Sequence, residues 1–233
     1  MMQDSRVIVL DHLVKDYPMG GRSFRALNDI SLSIGLGEFT GFVGPSGSGK
    51  TTLLNIVGAL DNPTGGSAHV LGRDVALLGH REAAGLRNES LGFIFQTYNL
   101  LPIYTVFENV EFPLLLLKRP RQERIESVRR ALEWVGLTEK MESRPAQLSG
   151  GECQRVAIAR AMVKSPKIVL ADEPTANLDS ANSHHILKTM ASLNEQLKTT
   201  FLFATHDEKV ISYLRRKVTL SDGAVADDVT LGH

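Results

Sequence analysis

Apolar and polar positions alternate with period two over residues 6–13, and the same alternation returns at Ile30–Ile34 and Glu38–Val43 around a turn at Gly35 and Gly37. These segments predict β-strands. At Lys50–Leu60 (KTTLLNIVGAL) the spacing becomes helical, so a strand, a glycine loop and a helix follow one another. Asn62–Gly66 (NPTGG) is a turn cluster, and Ser67–Leu71 reads as a further strand. From about Arg81 to Ser165 the pattern is mainly helical: a strand at Leu91–Phe95 leads into helices at Val106–Lys118, Gln122–Val135 and Gly150–Val163. Lys167–Ala171 and Thr199–Ala204 are continuous apolar runs on either side of a helix at Ala181–Leu197, as expected for parallel strands covered on both faces. A last pair of strands around Val218–Val225 turns at Asp222 and Gly223.

This order predicts an α/β fold with a β-rich N-terminal part and a helical insert. The 233 residues suffice for one large domain with a sizeable core. The core is expected from about 1–86 and 166–233, with the helical part from about 87–165 between them. Charge changes the picture little: 26 basic and 26 acidic residues cancel, which counts against a dedicated nucleic-acid binder. The single cysteine, Cys153, can form no intrachain disulfide and no cysteine-based metal set, so a reducing cytoplasmic setting is the simplest reading. The start, MMQDSRVIVLDHLV, carries an acid at Asp4 and only a short apolar run, unlike a secretory leader. The apolar stretch near Leu114–Leu117 is far below the roughly 20 residues of a spanning helix, so membrane work is expected to need a partner chain.

The candidate chemistry begins at Gly44, Pro45, Ser46, Gly47, Ser48, Gly49, Lys50 and Thr51, which satisfy G-x-x-x-x-G-K-[ST] between a predicted strand and a predicted helix. In such a loop, glycines turn successive N–H groups onto phosphate oxygens and the helix dipole adds positive potential. Lys50 would reach the β- and γ-phosphates and Thr51 would offer its hydroxyl to Mg²⁺; Thr52 follows in the same nucleotide-binding set. Asp172 and Glu173 end a predicted parallel strand, where ligands of such sheets bind. Alone, such a pair is more often just a solvated turn. Beside a phosphate loop, Asp172 is expected to hold Mg²⁺ and Glu173 to polarise the attacking water. The glycine pair in LSGGE at 148–152 opens a helix about a hundred residues further on, and suggests a nucleotide shared between two chains.

LSGGE with QRVAIARA at 154–161, LADEP at 170–174 and ATHD at 204–207 resemble the ATPase subunits of ATP-binding-cassette transporters, from Tyr17 to Gly223. The resemblance implies a phosphate-loop NTPase core, ATP and Mg²⁺ as ligands, and a homodimer in which Ser149, Gly150 and Gly151 of one copy face the nucleotide held by the other. It implies that Gln96 senses Mg²⁺ and the attacking water and links to transmembrane permease subunits. It further implies that His206 contacts the γ-phosphate and orients Glu173, that Asp179 connects the two ATP sites, and that Tyr17 stacks on adenine. Asn177 and Asp179 also read as caps of the helix that follows. Cys153 departs from the glutamine or arginine of relatives, and tuning of the dimer interface or of helix packing is the expected consequence.

ALNDISLSI at 26–34, GPSGSGKTTLLNIVGALDNPTGG at 44–66 and FQTYNLLPIYTVFENVEFPL at 95–114 are closest to subunits serving lipoprotein release, macrolide and peptide efflux, and a related cell-division ATPase. That group implies a protein at the cytoplasmic face of the inner membrane, working by mechanotransmission on its permease, with a periplasmic adaptor as a possible further partner. Regulation of a cell-envelope enzyme without transport is the alternative.

Overall fold

The computed structural model describes residues 6–232; the reading of Asp4 therefore lies outside the described residues. The chain opens with two long strands, β1 (Arg6–Met19) and β2 (Arg22–Gly35), joined at Gly20 and Gly21. Both extend past the periodic segments at 6–13 and 30–34. Asp16, Pro18, Ser23 and Arg25 break the apolar alternation there, while antiparallel pairing carries the hairpin on to Met19 and Arg22. Positive φ at His12 (47°) and Asp29 (56°) accompanies a register shift between Leu10 and Leu13, which bends the ribbon.

β3 (Phe39–Val43) leads through the glycine loop to α1 (Lys50–Val57), whose run ends at Gly58 instead of continuing to Leu60. After β4 (Gly65–Val70) and β5 (Arg73–Asp74) comes α2 (His80–Ser90), a helix absent from the sequence reading. Only Leu86 of α2 is buried, so the segment carries almost no apolar stripe to betray it. Then follow β6 (Leu91–Ile94), α3 (Val106–Leu116), α4 (Arg121–Trp134), α5 (Gly150–Met162), β7 (Ile168–Asp172), α6 (Ser180–Leu197), β8 (Thr200–Thr205), α7 (Glu208–Ile211), β9 (Arg216–Ser221) and β10 (Ala224–Thr230).

The strands form a four-stranded antiparallel sheet in the order β2-β1-β4-β5 and a six-stranded sheet in the order β10-β9-β3-β8-β7-β6. Within the latter, β6, β7, β8, β3 and β9 run parallel and β10 is an antiparallel edge. One apolar core lies between the two sheets and α1, around Phe42, Ile56, Leu53 and Leu202. The second lies on the other face, where Phe39, Phe201 and Phe203 meet α5, α6 and the α3–α4 helices. Because β7 and β8 are covered on both sides, all their residues from Ile168 to Ala171 and Thr200 to Thr205 are buried. The carboxyl ends of β3, β6, β7 and β8 are thereby held side by side, and the chemistry-bearing residues sit on them.

Candidate functional site

A cavity of about 400 Å³ opens at this edge, lined on one side by the β1–β2 hairpin and on the other by the strand ends. It brings together Ser46, Gly47, Gly49, Lys50, Thr51 and Thr52 from the loop and α1. Gln96 follows β6, Asp172 and Glu173 close β7, and His206 follows β8. Tyr17 reaches the same cavity from β1. Residues separated by more than a hundred positions thus share one wall.

The loop's shape depends on Gly49, whose φ of +99° L side chains rarely adopt and where an added Cβ would lie 2.6 Å from the Ala26 carbonyl oxygen. Gly44, Pro45 and Ser48 do not line the cavity. The Lys50 ammonium donates to the carbonyls of Gly44 (2.7 Å) and Pro45 (2.8 Å), so its cation is held inside the loop. Burial pushes the Lys50 amine below its ordinary value, against the pull of Glu173 and Asp172. Ser48 Oγ is buried without a hydrogen-bond partner among the described residues, an orphan polar atom beside the cradle.

Thr51 Oγ1 donates to the Asp172 carboxylate at 3.1–3.2 Å, and burial raises that carboxyl above the usual range. A hydroxyl and a carboxylate converging in this way are oxygen donors of the kind a hard divalent cation takes. Glu173 has φ 45°, an uncommon conformation for a residue with a side chain, and its amide donates to the Ala204 carbonyl at 2.9 Å. Its two oxygens have separate partners: Thr205 Oγ1 donates to Oε2 at 3.0 Å, and His206 Nδ1 lies 2.6 Å from Oε1. Thr205 escapes the motif reading because it is the last residue of an apolar strand.

Tyr17 is fixed at both ends. Its hydroxyl donates to Asp61 Oδ2 at 2.7 Å and accepts from Thr52, and the Lys15 ammonium sits 4.8 Å from its ring centroid. Lys15 in turn bonds Asp61 Oδ1 at 2.6 Å. Burial and the neighbouring carboxylate raise the Tyr17 phenol. Neither Lys15 nor Asp61 is a candidate site residue in the sequence, although Asp61 lies within the 44–66 segment, and Phe24, opposite Tyr17 in the hairpin, also lines the cavity. The Gly20–Gly21 turn was the signal that pairs 17 with 24.

Ser149, Gly150, Gly151 and Asp179 do not line this cavity. Ser149 caps α5: its Oγ accepts from the Glu152 amide (3.2 Å) while Glu152 Oε2 accepts from the Ser149 amide (2.8 Å). The amides of Gly150 and Gly151, in the first turn, have no partner within the helix, and Gly151 is itself buried against Asn182. Asp179 caps α6 by accepting from the Asn182 amide at 2.8 Å, which holds its carboxyl below the ordinary range. The capping reading of Asp179 therefore holds, while Asn177 instead donates through Nδ2 to the Gln96 carbonyl at 2.9 Å. Cys153 is buried, 3.7 Å from the Pro145 carbonyl, and burial pushes its thiol up.

A parallel sheet with a phosphate loop after one strand and a carboxylate pair after another defines a nucleotide-hydrolysing α/β protein. Residues 27–176 match the family model described as ABC transporter, and the chain belongs to that family: it is an ABC-type ATPase, a nucleotide-binding domain. It is 44% identical over 224 residues to the lipoprotein-releasing system ATP-binding protein LolD of Geobacter metallireducens, covering 96% of this chain and 100% of that protein. It is 45% identical to the macrolide export ATP-binding/permease protein MacB of Rhodopirellula baltica, but spans only 33% of that relative's length. Among solved structures, a dimeric ATP-binding cassette in a post-hydrolysis state bound to ADP and Pi superposes with TM-score 0.89 at 39% identity, covering 97% of this chain and 99% of that one.

Proposed function

We propose that the chain closes as a homodimer on two MgATP, drives transmembrane permease subunits by that closure, and resets on hydrolysis. The observation that carries this reading is the convergence of the glycine loop, Asp172, Glu173, His206 and Gln96 on one cavity, with Glu173 held on both oxygens. In it, Gly44–Thr51 and Thr52 cradle the phosphates, and Lys50 exchanges its two carbonyl partners for phosphate oxygens. Thr51, Asp172 and Gln96 hold Mg²⁺, which supplies charge neutralisation at the phosphates when bound. Glu173 positions the attacking water, His206 keeps Glu173 oriented, and Tyr17 receives the base.

Ser149, Gly150 and Gly151 lie outside their own cavity at a helix N-terminus, which supports their completing the site of a second copy, with Asp179 between the two sites. The dimeric cassettes among the structural relatives support the same assembly. Likeness to lipoprotein-releasing and macrolide-export proteins supports export or extraction by mechanotransmission at the cytoplasmic face of the inner membrane, with a periplasmic adaptor as a further partner. Among the described residues no helix is long and apolar enough to cross a membrane, so anchoring falls to the permease. Glu173→Gln tests the reading: ATP binding persists, turnover is lost and light scattering detects a nucleotide-dependent dimer. Wild-type ATPase activity in that variant, or a monomer at saturating MgATP, overturns it.

A further inference from the structure

Glu173 is held from inside the fold as well as from the cavity. Its amide donates to the Ala204 carbonyl of β8 at 2.9 Å, and its φ of 45° puts the carboxylate on an uncommon turn. The side chain then has two anchors of opposite character. His206, on Oε1, is a surface residue with 70% of its side chain exposed. Thr205, on Oε2, is fully buried at the end of β8.

The Thr205 hydroxyl has one proton, and its neighbours fix where that proton goes. Oγ1 accepts from the Asp207 amide at 3.0 Å, which leaves the proton for Glu173 Oε2, also at 3.0 Å. Asp207 is fixed in turn. Its Oδ1 accepts from the Lys209 amide at 2.9 Å, capping α7, and its Oδ2 accepts from the Thr175 hydroxyl at 2.9 Å. Thr175 is buried two residues beyond Glu173, so the bonds run in a closed ring from Glu173 through Thr205, Asp207 and Thr175 back to the turn after β7. Thr175, Thr205 and Asp207 do not line the nucleotide cavity. The ring therefore acts on a nucleotide only through the side chain it holds.

We propose that Thr205 is a positioning residue for hydrolysis: its buried hydroxyl, oriented by Asp207 and Thr175, fixes the Glu173 carboxylate with Oε1 turned toward His206 and the cavity. The proposal rests on the reading of Glu173 as the group that positions the attacking water. Burial separates the two anchors physically. Water competes little for a bond donated by a buried hydroxyl, whereas it competes freely for the exposed His206 contact. Glu173 thus keeps one fixed oxygen while the other is free to change partners.

The test compares Thr205→Val, Thr205→Ser and Thr175→Val with the unaltered chain. Two quantities are measured: kcat by phosphate release at saturating MgATP, and calorimetric Kd for a non-hydrolysable MgATP analogue. Valine keeps the shape of threonine and removes the hydroxyl; serine keeps the hydroxyl. Thr205→Val is expected to lower kcat about 10- to 50-fold with analogue Kd unchanged, and Thr205→Ser to stay within about threefold of wild type. Thr175→Val, which loosens only the brace on Asp207, is expected to lower kcat about 3- to 10-fold. Circular dichroism checks each fold, and if Thr205→Val does not fold, Thr175→Val decides. A kcat within about twofold of wild type in the folded valine variants overturns the proposal. So does Thr205→Ser as slow as Thr205→Val, or a fall in kcat matched by an equal loss of analogue affinity. The Glu173 reading fails separately, through wild-type turnover in Glu173→Gln; failure of the ring alone leaves that variant inactive and the threonine variants active.

Discussion

Removing the His206 imidazole should cost little stability and much turnover, and the structure sets both magnitudes. His206 Nδ1 is 2.6 Å from Glu173 Oε1, but 70% of the histidine side chain is exposed, against 15% of the glutamate. A contact with one partner this open is worth at most about 1 kcal/mol to the fold, since solvent competes for it and side-chain entropy opposes it. In a domain of 233 residues that is a Tm change of roughly 2–4 °C. Turnover answers to geometry instead. With His206→Ala, Glu173 keeps only the Thr205 hydroxyl, 3.0 Å from its other oxygen, and the carboxylate can swing about that single anchor. A displacement of about 1 Å at a water-positioning group costs on the order of 100-fold. We expect kcat at saturating MgATP, measured by phosphate release, to fall about 30- to 100-fold. His206→Gln, able to reach the same oxygen, should recover part of it. A kcat within threefold of wild type, with the fold intact, would refute the claim that His206 holds Glu173 for the reaction.

Two further substitutions probe the supports of the site. Asp61→Asn removes the carboxylate that neutralises the Lys15 ammonium, whose side chain is 9% exposed, and leaves it the Asn62 carbonyl at 2.7 Å, the Tyr17 ring and an uncharged amide oxygen. It should destabilise the fold by roughly 2–3 kcal/mol and weaken ATP by releasing Tyr17; an unchanged melting curve contradicts this. Lys164 has its amine pushed by burial from 10.5 down to about 8, and it donates to the Arg87 carbonyl at 2.8 Å. Between about pH 8 and 10.5 the unfolded chain holds this proton and the folded chain does not, so stability from this group rises with pH across that window. Below pH 8 the full cost of burying the charge stands, at most about 3 kcal/mol. Lys164→Met should therefore raise Tm at pH 7 and converge with wild type above pH 10.5, and a difference independent of pH would count against the linkage.

The parts of this fold legible in the sequence are those where one chemical constraint dominates. The phosphate loop, the apolar runs of β7 and β8 and the carboxylates at a strand end each follow from a rule that needs no knowledge of neighbours. What escaped depended on tertiary context. α2 packs through a single buried leucine, so its eleven residues carry no stripe, and only its capping glutamate, Glu82, marks a start. The distal hairpin pairs polar residues whose alternation is invisible without the partner strand, so Phe24 carries no local signal, whereas Tyr17 is placed by resemblance. Thr205 and Asp61 act on site residues 32 and 44 positions away, and local spacing cannot report such contacts.

The LSGGE helix and the catalytic strand end are joined within one chain, and this links the two sites of the proposed dimer. Gln154 is fully buried on α5, and its Nε2 donates at 2.7 Å to the carbonyl of Pro174, the residue after Glu173. Its Oε1 has no partner among the described residues. Two close contacts in its first turn pin the helix: a Cβ on Gly151 would fall on the Asn182 side chain, and one on Gly150 would lie 3.0 Å from the Tyr98 hydroxyl. In the proposed dimer, Ser149 gripping the nucleotide of one copy would shift the helix that is bonded, through Gln154, beside Glu173 of its own copy. Gln154→Leu keeps the volume, loses one hydrogen bond and relieves one orphan oxygen, so its net effect on stability should be within about 1 kcal/mol. Its effect on coupling should be larger, with the Hill coefficient of ATP hydrolysis falling toward 1 from a wild-type value above it. Steady-state rates against MgATP concentration decide the matter, because a merely structural tether would leave the Hill coefficient where it was.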